Sequence, residues 1–436
     1  MPRRSRGCRA CRQRRIGCDG GQPSCLQCLI TNRTCSGPIQ GPIILDQTRL
    51  VTARYQKALE RSRLRRDVSV PIVKQPSSQA FASLEFISQF VSFISSNRQG
   101  PSKRPWLYAL GIVSSGDNGL ILEAALRAAA TAFCGVMFQS YTLLLEASRL
   151  YGQALSRYVA VLSGGSGVTV TFKMCTTVLL SLYEAIWSTN PPAYFVHLEA
   201  CWQMLVSADP KSEDVAVLRG VAAHVIHQTA FAVSVSPKFC HNLLSNQDVW
   251  AVVSRITTDQ EEPLVNRLVL EIFTLQKLLS QSRSPNDDII ACAHDVNGRI
   301  ENMWADYKAE VSRHDGQILL SSCSTRPYYD AFSALTVACF SAARILLSKV
   351  HSLSVRCPSA DSLETTNGQV ILECHSYLLP KNIGCAYLRM FLPLTVVALY
   401  SPSLRQSNLA HSTLNDSLRK PFSGLSSMAV ERIRAS

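Results

Sequence analysis

Near the start of the 436-residue chain, residues 8–35 read CRACRQRRIGCDGGQPSCLQCLITNRTC and contain six of its sixteen cysteines. The spacing is C-x2-C-x6-C-x6-C-x2-C-x6-C, and a shift of 17 residues maps the first three cysteines onto the last three. They are Cys8, Cys11, Cys18, Cys25, Cys28 and Cys35. Cysteines two residues apart can bind one tetrahedral ion, because the short turn brings both sulfurs to the same side. The spacing therefore predicts a metal site built on an internal repeat.

The number of cysteines indicates how many ions this run binds. Zinc accepts four thiolates, so one ion would leave two thiols idle, and two separate sites would need eight. Two ions that share two bridging thiolates need six. A binuclear cluster with two Zn2+ per chain is therefore the arrangement that uses every cysteine.

Three other interpretations of the cysteines stay open at this point. A disulfide framework is typical of secreted proteins, but the sequence begins Met-Pro-Arg-Arg-Ser-Arg, without an apolar leader. A single zinc held by the two C-x2-C pairs has plausible spacing, yet it leaves Cys18 and Cys35 unused. Zinc storage alone is the third interpretation, and the arginines among the cysteines argue against it.

The run resembles the fungal Zn2Cys6 binuclear cluster family of transcription regulators. All six cysteines fit the family spacing, and so does Pro23, two residues before the fourth cysteine. In that family the first and fourth cysteines bridge the ions, which implies Cys8 and Cys25 here. One zinc would bind Cys8, Cys11, Cys18 and Cys25, and the other Cys25, Cys28, Cys35 and Cys8. The resemblance also implies a short helix in the major groove of DNA.

Nearly all of the chain's positive charge lies at the same end as these cysteines. The formal net charge is +13, and residues 1–66 supply +12, from fifteen Lys or Arg and three acidic residues. Six thiolates and two Zn2+ would lower this to about +10. A basic head on a nearly neutral body is typical of nucleic-acid binding. Residues 1–54 contain no aromatic side chain or histidine on which RNA bases would stack, which favours double-stranded DNA over RNA.

The arginines between the cysteines are concentrated in the first repeat. Residues 12–17 read RQRRIG, whereas the equivalent residues 29–34 read LITNRT. A short helix from about Arg9 to Ile16, ended by Gly17, would direct several guanidinium groups outward. The first repeat is therefore predicted to read DNA and the second to support it.

The family resemblance implies separate roles for these arginines. Arg14 and Arg15 align with the basic pair that reads a CGG triplet, and arginine can donate two hydrogen bonds to O6 and N7 of guanine. Arg9 and Arg12 would contact phosphates, which position the protein without specifying sequence. Arg33 is a weaker phosphate candidate.

The segment after the cysteines is predicted to connect two domains. Residues 36–42 read SGPIQGP, a linker signal, and residues 43–66 could form a basic helix. Its heptad seams are half polar, whereas stable coiled coils need apolar residues at both seams, so a homodimer through this helix is left open. The basic residues 61–66 favour nuclear import and phosphate attraction.

The rest of the chain has the periodicity of helices. Apolar residues recur every three or four positions near residues 83–95, 119–138, 141–162, 172–187, 194–206, 212–233, 262–282, 286–310, 328–350 and 382–399. Strand-like alternation is scarce, so the predicted fold class is all-α: a small binuclear zinc-cluster head with two short helices around two zincs, and a large helical domain. Within residues 120–400 this domain resembles the helical regulatory domain downstream of the cluster in the same family, most clearly over TFKMCTTVLLSLYEAIWSTNPPAYFVHLEACWQML.

These patterns divide the chain into four regions. They are residues 1–36, the DNA-binding domain; 37–80, a linker with the basic segment; 81–400, the helical regulatory domain; and 401–436, a serine-rich flexible tail.

Catalysis and membrane insertion have little support in the sequence. The chain lacks H-E-x-x-H, P-loop and G-x-G-x-x-G motifs, so no catalytic residue and no enzyme activity are predicted. No apolar stretch is expected to reach the eighteen or so residues of a membrane span, and no membrane partner is predicted. His197 and the ten cysteines from Cys134 to Cys385 are predicted to pack in the core, the latter as reduced thiols.

Together with the resemblance, these features predict a zinc-dependent, sequence-specific transcription regulator of the nucleus, of the RNA polymerase II type. It would recognise CGG-like triplets in the major groove and could control a metabolic gene cluster. The helical domain would relay regulation through transcriptional co-regulators or a small effector. The alternative is a helical adaptor or scaffold whose basic zinc head binds nucleic acid without sequence preference.

Overall fold

The chain divides into two compact units, Met1–Gln75 and Pro76–Ser436. A computed structural model describes residues 7–37, 78–95, 107, 119–163, 168–208, 215–257, 263–281, 287–318, 328, 330–353, 358–381, 384–417 and 421–436. No strand occurs in these ranges, and the predicted all-α fold class is confirmed. The segment 43–66, on which the homodimer and import predictions rest, lies outside the described residues.

The head has a core made of sulfur. Its two helices, α1 (Arg9–Gln13) and α2 (Leu26–Ile30), are five residues long. The buried side chains between them are those of four cysteines, and only Ala10 and Ile16 add partly buried aliphatic carbon to Cys18 and Cys35. So few apolar groups cannot stabilise a fold of this size, and structural zinc supplies the missing folding free energy in domains of this kind.

Helix α1 ends earlier than the sequence predicts. It stops at Gln13, and Arg15 rather than Gly17 takes the left-handed backbone conformation, with φ 56°. The N–H of Ile16 then donates to the carbonyl of Cys11, as in the common capping motif at helix C-termini. A left-handed arginine costs about 1 kcal/mol, so helix propensity alone would not place the turn here. The turn returns the chain to the cluster, where Cys18 meets the N-terminus of α1.

The second unit is built from fifteen α-helices in the described ranges. They are α3 (Ser78–Ser95), α4 (Gly119–Met137), α5 (Tyr141–Ser163), α6 (Val170–Ile186), α7 (Pro191–Ser207), α8 (Val215–Val235), α9 (Pro237–Leu244), α10 (Gln247–Thr257), α11 (Leu264–Gln281), α12 (Asp287–Ile318), α13 (Ala331–Ser352), α14 (Pro358–Leu378), α15 (Gly384–Tyr400), α16 (Leu404–Asp416) and α17 (Ser423–Arg434). All ten segments predicted from apolar periodicity contain a helix over the residues that the structure describes. The sequence predictions did not include α9, α10, α14, α16 and α17.

One continuous apolar core runs through this unit. Helix α4 packs against α3, α5 and α6, and α13 packs against α11, α14 and α15. Helix α6 is buried on almost every side. The alanine-rich sequence of α4 allows close approach: a Cβ on Gly135 would lie 2.8 Å from Cδ2 of Leu144 in α5. Small side chains on α4 thus set the distance between α4 and α5.

Two core helices meet the length and hydropathy of a membrane span, contrary to the prediction that no stretch would. In α4 and α13, 67% and 89% of the most apolar window is buried against other parts of the protein. Apolar helices that are covered by neighbouring helices are typical of a protein core.

The predicted core roles of His197 and of most further cysteines are confirmed. His197 is buried and shares a 2.8 Å hydrogen bond with the hydroxyl of Tyr151. Burial lowers the pKa of His197 to about 4, so this side chain is neutral at physiological pH. The described cysteines outside the head are free thiols; all are buried except Cys292, which is partly exposed. The side chains of Cys323, Cys357 and Cys385 lie outside the described residues.

The prediction of a flexible tail at residues 401–436 is wrong. Helix α17 packs on α6, with Leu425 and Ala429 buried and the hydroxyl of Ser423 donating to the carbonyl of Ile186 at 2.8 Å. The serine-rich composition suggested mobility, but small residues are what this contact requires. The side chain of Phe422, immediately before α17, is fully buried. Residues 421–436 therefore belong to the helical core.

Gly424→Ala should destabilise the helical unit, because the added Cβ would overlap the carbonyl oxygen of Glu184 in α6. A backbone atom cannot rotate away, so we expect a loss of about 1–3 kcal/mol, seen as a lower Tm in calorimetry. Gly298→Ala is the matched control. Its Cβ would meet nothing within 4 Å, and helix propensity should make that variant up to about 1 kcal/mol more stable. A wild-type Tm for Gly424→Ala would contradict the packing of α17 on α6.

Candidate metal centre and nucleic-acid interface

The six sulfurs of the head form two overlapping sets of four. One set is Cys8, Cys11, Cys18 and Cys25, and the other is Cys8, Cys25, Cys28 and Cys35; within each, the Sγ atoms lie within 4.8 Å of one another. Cys8 and Cys25 belong to both sets. The structure thus brings together every cysteine predicted as a ligand, in the grouping that the family resemblance implies.

The separations of these sulfurs fit tetrahedral zinc. Zn–S bonds of about 2.3 Å place two sulfurs of a tetrahedron about 3.8 Å apart. The Sγ of Cys8 lies 3.7 Å from that of Cys25 and 3.6 Å from that of Cys28, and Cys11 and Cys25 are 3.7 Å apart. All six head cysteines are free, and none of the six lies outside both sets. The geometry suits zinc better than disulfides or a single four-sulfur site.

The helix positions of the cysteines explain why their sulfurs converge. Cys8 and Cys25 are the N-cap residues of α1 and α2, and Cys11 and Cys28 lie three residues further on. Side chains three apart share one face of a helix, so each C-x2-C pair points into the same space. Cys18 and Cys35 then enter from the loops.

Burial and hydrogen bonding act differently on the inner and outer thiols. Burial raises the pKa of Cys11 and Cys25 to about 12, so these thiolates need a cation beside them. The backbone N–H of Cys8 lowers the pKa of Cys18, and the N–H of Cys25 lowers that of Cys35 to about 7. Zinc binding is the chemistry that satisfies both groups, because Zn2+ stabilises thiolates.

The loops that carry Cys18 and Cys35 repeat each other in detail. The N–H of Cys8 donates to Sγ of Cys18 at 3.4 Å, and the N–H of Cys25 donates to Sγ of Cys35 at 3.5 Å. Two residues after each outer cysteine stands a glycine with positive φ, Gly20 at 73° and Gly37 at 71°. Left-handed backbone favours glycine, which explains the residue type. The shift of 17 residues could have revealed this pair in the sequence.

Each half of the head also caps the helix of the other half. The backbone N–H of Leu26, first in α2, donates to Asp19 Oδ1 at 3.0 Å, and the N–H of Arg9, first in α1, donates to Ser36 Oγ at 3.0 Å. Asp19 and Ser36 are 17 residues apart and directly follow the outer cysteines. The first N–H groups of a helix lack partners within it, so these caps satisfy them. Sequence analysis did not identify this function.

Asp19→Ala should weaken zinc binding although Asp19 is not one of the six residues that would bind zinc. Losing the cap on α2 costs about 1 kcal/mol, which corresponds to about a fivefold lower zinc affinity, because metal binding and head folding are coupled. Competition with a chromophoric chelator measures this affinity. Asp19→Asn keeps an accepting oxygen and should retain most of the affinity. Wild-type zinc affinity in Asp19→Ala would show that the cap does not stabilise the head.

All five arginines predicted to contact DNA are exposed. They are Arg9, Arg12, Arg14, Arg15 and Arg33. Arg9 and Arg12 are three residues apart on α1, so they share a face, and Arg14 and Arg15 follow at its C-terminal end. Arg33 instead follows α2, at the position equivalent to Ile16. The first repeat thus presents four of the five guanidinium groups on or next to a single helix.

The equivalent face of α2 is apolar. Leu26, Leu29 and Ile30 are 57%, 63% and 71% exposed, and they occupy the positions of Arg9, Arg12 and Gln13 in the first repeat. The backbone of the head therefore repeats, whereas its surface does not. A polyanion is attracted to the α1 side of this repeat and not to its counterpart.

Residues 6–41 match the family model described as the fungal Zn(2)-Cys(6) binuclear cluster domain. Among curated proteins and among solved structures, nothing matches the chain. The match and the converging sulfurs establish the head as a zinc-binding cluster domain, and they indicate a zinc-dependent, DNA-binding transcription regulator. The helical unit lies outside the match, and its likeness to the family's regulatory domain stays a prediction.

A surface cavity of about 390 Å3 lies between α14 and α16. Its walls are formed by Gln369, Leu372, Glu373, Ser376, Ser403, Arg405, Gln406 and Leu409. Small-molecule pockets are lined mostly by apolar side chains, and only two of these eight are apolar. The predicted effector is therefore not assigned to this cavity.

Proposed function

We propose that this chain is a nuclear transcription regulator whose head holds two Zn2+ and reads CGG-like triplets in duplex DNA. The observation that carries the proposal is the pair of four-sulfur sets that share Cys8 and Cys25. Two ions in such sets need six cysteines, and the head has six. The match of residues 6–41 to a Zn2Cys6 domain points to the same arrangement.

Under this proposal each set of four sulfurs holds one ion, and Cys8 and Cys25 bridge. The inner thiolates would fix the N-terminal ends of α1 and α2, and Cys18 and Cys35 would attach the loops that carry them to the same ions. Zinc supplies positive charge and tetrahedral bonds, without redox chemistry. We propose no catalytic residue.

The DNA surface in this proposal is α1 together with the turn that ends it. Arg9 and Arg12 neutralise phosphates, which accounts for most of the affinity and makes it sensitive to salt. Arg14 and Arg15 extend from the end of α1 and donate to O6 and N7 of guanine. Arg33 adds a phosphate contact from the second repeat. The exposed positions of all five side chains support these roles.

The helical unit would relay regulation through co-regulators or a small effector, and a homodimer through residues 43–66 would set the spacing between two triplets. A metabolic gene cluster is the proposed target. These roles follow from the family resemblance in the sequence. The described residues of the helical unit support only its capacity to fold as one core.

The proposal is tested by fluorescence anisotropy of the zinc-loaded full chain with duplexes that carry one CGG triplet, two triplets or a scrambled sequence. We expect a preference of about a hundredfold or more for CGG at physiological salt. Dependence on the spacing of two triplets would indicate a dimer. Equal, steeply salt-sensitive binding to every duplex would contradict the proposal and favour the adaptor alternative.

Arg15→Gly separates DNA reading from folding in the same assay. Glycine prefers the left-handed conformation at this turn, so the head should keep its zinc and its fold. Loss of the guanidinium should reduce discrimination by about 1–3 kcal/mol at one base position. Asn32→Gly is the matched control, because Asn32 takes the same conformation, with φ 48°, at the equivalent turn of the second repeat. Equal losses in both variants would assign the effect to the turns instead of Arg15.

A further inference from the structure

A hydrogen bond joins the end of α1 to the end of α2. Nη1 of Arg14 donates to Oγ1 of Thr31 at 3.3 Å. These two residues are equivalent in the 17-residue repeat, and each is the C-cap of its helix. The bond therefore connects the two halves of the head at matching positions of the repeat.

The hydroxyl of Thr31 is itself held in place. It donates to the carbonyl oxygen of Gln27, one turn earlier, at 2.7 Å. Its hydrogen is therefore directed into α2, and its lone pairs are free to accept from Arg14. Thr31 thus presents an acceptor whose orientation is fixed by the helix that carries it.

Among the arginines of residues 7–37, Arg14 is the one with a side-chain hydrogen bond inside the head. The others are exposed without such a bond in that range. An arginine side chain has about 2 kcal/mol of rotamer entropy to lose when it is fixed on a base. The hydrogen bond to Thr31 already restricts the guanidinium, so less rotamer entropy is lost when Arg14 binds a base. This effect is preorganisation.

The bond to Thr31 leaves Arg14 able to read a base. A guanidinium has five N–H donors in a fixed fork, and Thr31 takes one of them. The remaining donors still offer a pair for O6 and N7 of guanine. The contact with Thr31 restricts the orientation of the guanidinium and leaves enough N–H donors free to bind a base.

We propose that Thr31 is a positioning residue for Arg14, so that the second half of the head sets the base preference of the first. This inference rests on the proposed function, because it assumes that Arg14 reads DNA. It assigns to α2 a role in specificity, where the sequence predicted only support. Thr31 itself need not touch DNA.

Thr31→Val tests this role, since valine keeps the shape of threonine and removes the acceptor. Anisotropy titrations would use the zinc-loaded full chain with a CGG duplex, three duplexes with one triplet base changed, and a scrambled duplex. We expect discrimination at one triplet position to fall about threefold to tenfold, the effect of one hydrogen bond. Affinity for the scrambled duplex and zinc content should stay at wild-type values. Thr31→Ser, which restores the hydroxyl, should recover the discrimination.

Two further variants separate positioning from folding. Thr34 lies in the same half of the head, and its exposed hydroxyl makes no hydrogen bond within residues 7–37. Thr34→Val should therefore leave both the discrimination between duplexes and the zinc content unchanged. In an Arg14→Ala background, Thr31→Val should cost no further discrimination, because the side chain it positions is gone.

The outcomes distinguish this inference from the proposed function. Wild-type discrimination between the duplexes in Thr31→Val, or an equal loss of affinity for every duplex, would overturn the positioning role. The proposed function would still stand if the wild-type chain prefers the CGG duplex. An additional loss in the Arg14→Ala background would also overturn the positioning role. If the wild-type chain shows no triplet preference, both the positioning role of Thr31 and the proposed function are contradicted.

Discussion

The approach of two sulfurs, those of Cys8 and Cys25 at 3.7 Å, is the constraint on which the head depends. Each is the N-cap residue of one of the two helices and belongs to both sets of four, so the two halves meet where these residues meet. A head of this size has too few apolar side chains for a core, and thiolates around metal take that place. The reciprocal caps from Asp19 and Ser36 then hold each half against the other.

A repeated backbone with different side chains explains how such a small scaffold presents a basic surface on only one of its two halves. The helix ends, the left-handed turns and the outer cysteines recur at 17 residues, yet one helix carries arginines where the other carries leucines. Metal coordination fixes the backbone and leaves exposed positions free to vary. Arg14 and Thr31 stand at one such pair of equivalent positions. Because one is a donor and the other an acceptor, Thr31 can hold the side chain of Arg14.

The sequence predicted the metal site better than the turns around it, for physical reasons. Cysteine spacing is a direct record of ligand geometry, so the six converging residues were identifiable. The left-handed Arg15 was not, because the cluster imposes a conformation that arginine does not prefer. Apolar periodicity predicted ten helices of the body, but α17 was missed because serines obscured its apolar residues Leu425, Met428 and Ala429. Gly20 and Gly37 stand 17 residues apart, so the repeat in the sequence carries the signal for both left-handed turns.

The most direct test of the central claim is the number of zinc ions bound by the full chain, counted by native mass spectrometry. Shared sulfurs at Cys8 and Cys25 predict two zinc ions per chain. A chelator should remove both together, because both ions are held by the same two thiolates and metal binding is coupled to folding of the whole head. A single tightly bound zinc at saturation, or two ions lost independently of each other, would contradict a cluster built on shared thiolates.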